Sequence, residues 1–200
     1  MGAHLNIGGM AAGLSLALAL AGPAPAATAS PKVMTVTGNA PQICAVQNPV
    51  VGAGALVNFR SLNGSTLQID QLADPKTLAT SAALADIRFA AVCNYPHRIT
   101  LESDNNGLWR GGSAGSTPPP GFADGVPYTA TLIWGPVNSR FEADATGRRI
   151  NQSSVPVDEA TAGDIEIHLA IQAGASNLRA NAPLIAGVYT DTLRVTVEPQ

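Results

Sequence analysis

Charge is scarce in this sequence. Only 12% of its 200 residues are Asp, Glu, Lys or Arg, and the formal net charge is −3. Lysine occurs twice, at Lys32 and Lys76. Nucleic-acid binders neutralise phosphates with basic stripes, and no such stripe is present, so nucleic acid is not an expected partner. Three histidines (His4, His97, His168) and two cysteines (Cys44, Cys93) are too few and too widely spaced for a metal centre. No Gly-x-Gly-x-x-Gly run joins a strand to a helix, so no cofactor is expected. The two histidines outside the N-terminal stretch sit beside no cysteine and form no His-x-x-x-His pair, and both read as surface residues. Asp158 and Glu159 are adjacent, so their side chains diverge and suit a solvated loop better than acid–base work. No catalytic residue is expected, and the chain does not read as an enzyme. Aromatic rings make up 4%; Trp134 reads as core and Trp109, just after a loop, is open. The glycosylation sequons at Asn63 and Asn151 are too common to carry weight.

What the chain does have is apolar residues, 46% of the total, enough to exclude a disordered chain and to build one sizeable core. The first apolar block, MAAGLSLALALAG from Met10, is too short to span a bilayer and resembles the central part of a secretory signal. Two A-x-A sites follow it, at Ala24–Ala26 and Ala27–Ala29. Residues 1–29 are therefore expected to be a signal peptide, cleaved between Ala26 and Ala29, although the segment before Met10 has no Lys or Arg. Export places Cys44 and Cys93 in an oxidising compartment and predicts that they pair. Closing a loop of that separation stabilises the fold by roughly 4 kcal/mol in the chain-entropy treatment.

After the expected signal, apolar residues recur with a period of two, which is the signature of half-buried strands. Val33–Thr37 is β-prone. Leu67 and Ile69 alternate with Gln68 and Asp70. Ile87, Phe89, Ala91 and Cys93 share a face, as do Ile99 and Leu101, and Tyr128, Ala130, Leu132 and Trp134. Ile165, Ile167, Leu169 and Ile171 alternate with Glu166, His168, Ala170 and Gln172. Leu193, Val195 and Val197 point one way near the end, against Thr192, Arg194, Thr196 and Glu198. Gly, Pro, Asn and Ser clusters separate the runs, the longest over residues 111–121, and no amphipathic helix intervenes. Seven or eight short strands of this kind predict an all-β fold, a single antiparallel immunoglobulin-like sandwich.

Several stretches together resemble the spore coat protein U family, pilin-like subunits of archaic chaperone–usher pili. They are the export signal, the β-prone segment ahead of Cys44, AAVCNYPHRITLES around Cys93, YTATLIW in mid-chain and AGVYTDTLRVTVEP. The most specific are Val92-Cys93-Asn94-Tyr95 and the Gly187-x-Tyr189-x-Asp191-Thr192 lead-in to the last strand. The resemblance implies an incomplete sandwich whose last strand borders an apolar groove. The implied organisation is a signal over 1–29, an N-terminal donor-strand extension over 30–43 and a pilin-like domain over 44–200. The donor strand would be Val33, Met34, Thr35, Val36 and Thr37, and the acceptor groove edge Leu193, Val195 and Val197. By parity the donor offers either Val33, Thr35 and Thr37 or Met34, Val36, Gly38 and Ala40. Implied partners are other copies or related subunits, a periplasmic chaperone and an outer-membrane usher, with passage through the periplasm to a surface fibre. Subunits of this kind join by donor-strand complementation, in which an extended segment of one adds as a strand to the open edge of the next. A different reading is a self-contained exported β-sandwich that binds a ligand through its loops. The two differ in whether residues 31–41 dock on their own domain. A secreted hydrolase is the least supported, for want of a nucleophile and base.

Overall fold

The computed structural model describes residues 32–112 and 117–200, with the backbone alone at 53–55. The expected signal peptide over 1–29 and part of the 111–121 loop lie outside the described residues. The chain divides into two units, one ending at Asn39 and one running from Ala40 to Gln200.

The second unit is built of antiparallel strands, with no helix among the described residues. In chain order they are β1 (Cys44–Val46), β2 (Val50–Val57), β3 (Phe59–Asn63), β4 (Thr66–Ile69), β5 (Ala83–Cys93) and β6 (His97–Ser103). There follow β7 (Leu108–Arg110), β8 (Gly125–Val126), β9 (Tyr128–Trp134), β10 (Val137–Ala143) and β11 (Asn151–Val157). The last are β12 (Thr161–Ile171), β13 (Tyr189–Thr190) and β14 (Leu193–Pro199). The larger sheet runs β1-β5-β12-β9-β10, with β2 continuing the line of β1 along β5; the opposing sheet is β11-β6-β14. Small sheets β13-β7-β8 and β3-β4 complete the set.

This is the expected all-β sandwich. Its core is the inward parity of each strand: Ile165, Ile167 and Ile171 of β12, Ile99 and Leu101 of β6, and Tyr128, Ala130, Leu132 and Trp134 of β9. Cys44 and Cys93 are directly opposed in the β1–β5 register and are joined by the expected disulfide. Trp109 is also buried, and its Nε1–H donates to the Asn105 carbonyl at 2.7 Å.

Short β1 and β7 and the longer β10 and β11 have no counterpart among the sequence expectations. In β10, Val137, Phe141 and Ala143 face inward while Asn138, Arg140 and Glu142 face out. A two-residue hairpin joins it to β9, with Gly135 at φ 53°, where a Cβ would meet Thr161 at 2.9 Å. β11 is polar and contains Pro156, which the sheet tolerates because β11 lies at an edge.

His97 corrects its sequence reading. It is not a surface residue: it is 0% exposed, its Nδ1 lies 2.9 Å from the Tyr95 carbonyl, and its ring centroid is 4.8 Å from that of Trp134. The inward parity of Ile99 and Leu101 extends back to position 97, the first residue of β6. His168, in contrast, lies on the outer face as expected, with Nδ1 2.6 Å from Asp86 Oδ1.

Candidate functional site

A sandwich has two sides where the edges of its sheets meet, and here the two differ. On one side β10 and β11 lie against each other; of their inward residues Val137, Phe141, Ala143 and Val157 are buried, while Ser139, Asn151, Ser153 and Val155 are half-buried, three of those four being polar. On the other side β1 and β2 form the edge of the larger sheet and β14 the edge of the smaller, and β1 touches β14. Inward-facing residues there are not covered. Val46 lies opposite buried Ala91 in the register, on the core parity, yet is 40% exposed. Ile87 and Phe89 share the parity of buried Ala85, Ala91 and Cys93 but are only half-buried. Leu193, Val195 and Val197 pair with buried Ser103, Leu101 and Ile99 and are likewise half-buried. An apolar strip therefore runs along the seam between β14 and β1–β2.

Backbone hydrogen bonding marks the same seam. Among the described residues β11 and β14 each pair with β6 alone, so each has one row of backbone N–H and C=O groups with no strand partner there; β11 carries Pro156 mid-strand, which has no N–H to offer, and β14 has no mid-strand proline. Such an edge is a template for another strand. An occupant that satisfied both features would be extended, would hydrogen-bond β14, and would turn apolar side chains inward at every second residue.

The expected groove edge is thus brought together with residues the sequence does not single out for this role, namely Val46, Ile87 and Phe89. The expected donor residues are placed otherwise. Residues 32–42 form no strand, and Val33, Met34 and Val36 are 89%, 85% and 85% exposed, with Thr35 and Thr37 exposed beside them. The chain leading into β1 is held by Asn94, whose Nδ2 donates to the Pro41 carbonyl and whose Oδ1 accepts from Ile43 N–H, both at 2.8 Å.

The start of β14 is fixed by a polar hub on Asp191. Its carboxylate accepts from Ser103 Oγ at 2.6 Å, Tyr128 OH at 2.7 Å, and the backbone N–H groups of Thr192 at 2.8 Å, Asn105 at 3.0 Å and Gly107 at 3.4 Å. The Asn105 side-chain amide donates to it as well, at 3.3 Å. Ser103 Oγ in turn accepts from Asn106 N–H at 2.7 Å, and buried Asn106 bridges to Asp144 and Asn151. Tyr189, just upstream, donates its hydroxyl to the Ile185 carbonyl at 2.8 Å. In the sequence, Tyr189-x-Asp191 is part of a short motif; in the fold it fixes the entry into β14.

Titration behaviour follows from this geometry. Backbone donation from Thr146 N–H, aided by the Thr146 hydroxyl and Asn106, holds Asp144 down to about 2. Burial, then the charge of Asp191, raises the Tyr128 phenol, and burial followed by the charge of Asp124 pushes Tyr189 up to about 12. Both tyrosines are more easily ionised unfolded, at about 10. The contribution of Tyr189 to stability is therefore complete below about pH 10 and is lost as pH rises through 12, and that of Tyr128 has the same sign. The expected result is a denaturation midpoint that falls steeply over that window, with tyrosinate absorbance appearing together with unfolding. Ionisation of Tyr128 or Tyr189 near pH 10 in a still-folded protein, followed in a Tyr95→Phe background, would contradict the burial account.

Among the described residues no group of three or more His, Cys, Asp or Glu side chains is placed to hold a metal. A depression of about 550 Å³ lies over the β10–β11 seam, lined by Val137, Asn138, Val155, Asp158 and Glu159. Asp158 and Glu159 are solvated there, as expected. No protein-family model matches the chain, and no curated protein matches it.

Proposed function

We propose that the protein is an exported structural subunit of a surface fibre, assembled when the N-terminal segment of one copy adds as a strand to the groove of the next. The observation that carries this is the chemistry of the half-buried row at the β14 edge: Leu193, Val195 and Val197 are apolar throughout and accompany half-buried Ile87 and Phe89 and 40%-exposed Val46, whereas the half-buried row of β11 begins with Asn151 and Ser153. The exposed apolar side chains of Val33, Met34 and Val36 supply an extended segment of matching character. The resemblance to the spore coat protein U family supports the same reading. In this reading the sandwich lacks its last strand, a periplasmic chaperone covers the groove before assembly, and an outer-membrane usher exchanges it for the next subunit. Head-to-tail pairing of this kind does not close on itself, and so yields a fibre. The protein is then no enzyme and needs no cofactor.

A self-contained sandwich that binds a ligand at the β10–β11 depression is the second reading. Cross-linking separates the two. Copies carrying Val36→Cys are mixed with copies carrying Val195→Cys and treated with a short thiol cross-linker, the native cysteines being already paired. Fibre assembly predicts cross-linked pairs of unlike copies. In a chain carrying both substitutions, cross-linking confined within single molecules at every concentration would favour the self-contained sandwich.

A further inference from the structure

We propose that Met34 is an oxidation-sensitive residue of the donor segment, and that its sulfoxide blocks strand addition; this rests on the fibre reading above. The sequence has three methionines and two cysteines. Met1 and Met10 belong to the expected signal, and Cys44 and Cys93 are consumed in the disulfide. Both tryptophans are buried. The thioether of Met34, 85% exposed, is thus the accessible soft nucleophile of the exported chain. Peroxide is the oxidant class that would act on it. The sulfur lone pair attacks one peroxide oxygen, the O–O bond breaks, and oxygen is transferred to sulfur. Sulfur is oxidised by two electrons and the peroxide is reduced to water.

The consequence depends on which parity of the donor faces the groove. The strip it must meet is apolar throughout: Val46, Ile87, Phe89, Leu193, Val195 and Val197. Turning Val33, Thr35 and Thr37 inward would bring two hydroxyls against it, and a buried hydroxyl without a partner is unfavourable. Turning Met34, Val36, Gly38 and Ala40 inward brings none. The sheet β11-β6-β14 is antiparallel throughout, and in an added strand of the same sense a register with Met34 opposite Val197 also sets Val36 opposite Val195 and Gly38 opposite Leu193. Met34 is then the largest side chain entering the groove. Its sulfoxide carries a polar oxygen into that apolar seam and forfeits the contact.

The test uses the full exported chain, each protein compared with its own untreated sample. Peroxide is added, sulfoxide at Met34 is confirmed by peptide mass, and multimers are measured by light scattering. The wild type is expected to lose assembly about tenfold and to regain it after treatment with methionine sulfoxide reductase. Met34→Leu, whatever its starting level, is expected to be unaffected by peroxide. Full oxidation at Met34 with unchanged assembly would overturn the proposal. Loss that the reductase does not reverse, or equal loss in Met34→Leu, would overturn it by locating the damage elsewhere. Absence of multimers before any peroxide would overturn the fibre reading itself, and this inference with it.

Discussion

Asp191→Ala is expected to destabilise the folded protein by about 3–5 kcal/mol, the largest single-residue effect outside the apolar core. The carboxylate collects six donors, and the substitution removes their acceptor while leaving them in place. Solvent can reach some of them, since Asp191 is itself only half-buried. Ser103 and Tyr128, 0% and 5% exposed, cannot rehydrate in the same way, and each buried polar group left unpaired costs about 1–3 kcal/mol. Asp191→Asn keeps one oxygen acceptor but turns an amide N–H toward groups that are themselves donors, so an intermediate loss is expected. Urea unfolding gives the answer as a shift in midpoint at unchanged slope. A loss below about 1 kcal/mol for Asp191→Ala would show that the hub is not what seats β14. Because Asp191 lies two residues before β14, the proposed strand addition also predicts that the same variant is a poor acceptor for a donor segment even where it remains folded.

The strands legible in the sequence are those whose inward face is continuously apolar. β12 writes Ile165, Ile167, Leu169 and Ile171 against polar neighbours, and the structure follows it residue for residue, with Leu169 less covered than the rest. β10 is hidden because its inward row includes Ser139, and β11 because its inward row opens with Asn151 and Ser153 before Val155 and Val157, and its outward row contains Pro156. A period of two cannot be seen when one phase is not apolar. His97 misleads for a related reason: a polar residue at the first position of β6 looks like a loop until the parity of the strand is carried back to it. The Asp191 hub joins residues 103–107, 128 and 191, and no local pattern encodes contacts at that separation. The groove lies between these cases. Parity states which way Leu193, Val195 and Val197 face. Whether anything covers them is decided by which strands become neighbours, and only the fold supplies that.

Deleting residues 32–42 is expected to abolish assembly altogether while leaving the sandwich folded. The core residues, the disulfide and the Asp191 hub all lie at or beyond Cys44, so the deletion removes no buried apolar side chain. What it removes is the exposed apolar segment, together with the Pro41 carbonyl that Asn94 holds. One hydrogen bond of that kind contributes about 1 kcal/mol, too little to unfold the domain. In the proposed assembly each deleted copy would keep the open β14 edge and lose its donor, so chain growth would have no next step. The decisive experiment is the mass distribution of the exported protein at neutral pH, by light scattering after size exclusion, with and without residues 32–42. Strand addition between copies requires a ladder of multiples for the intact chain, replaced on deletion by a monomer that still unfolds cooperatively. An intact chain that is monomeric and indifferent to the deletion, or a deletion that unfolds the domain, would refute it.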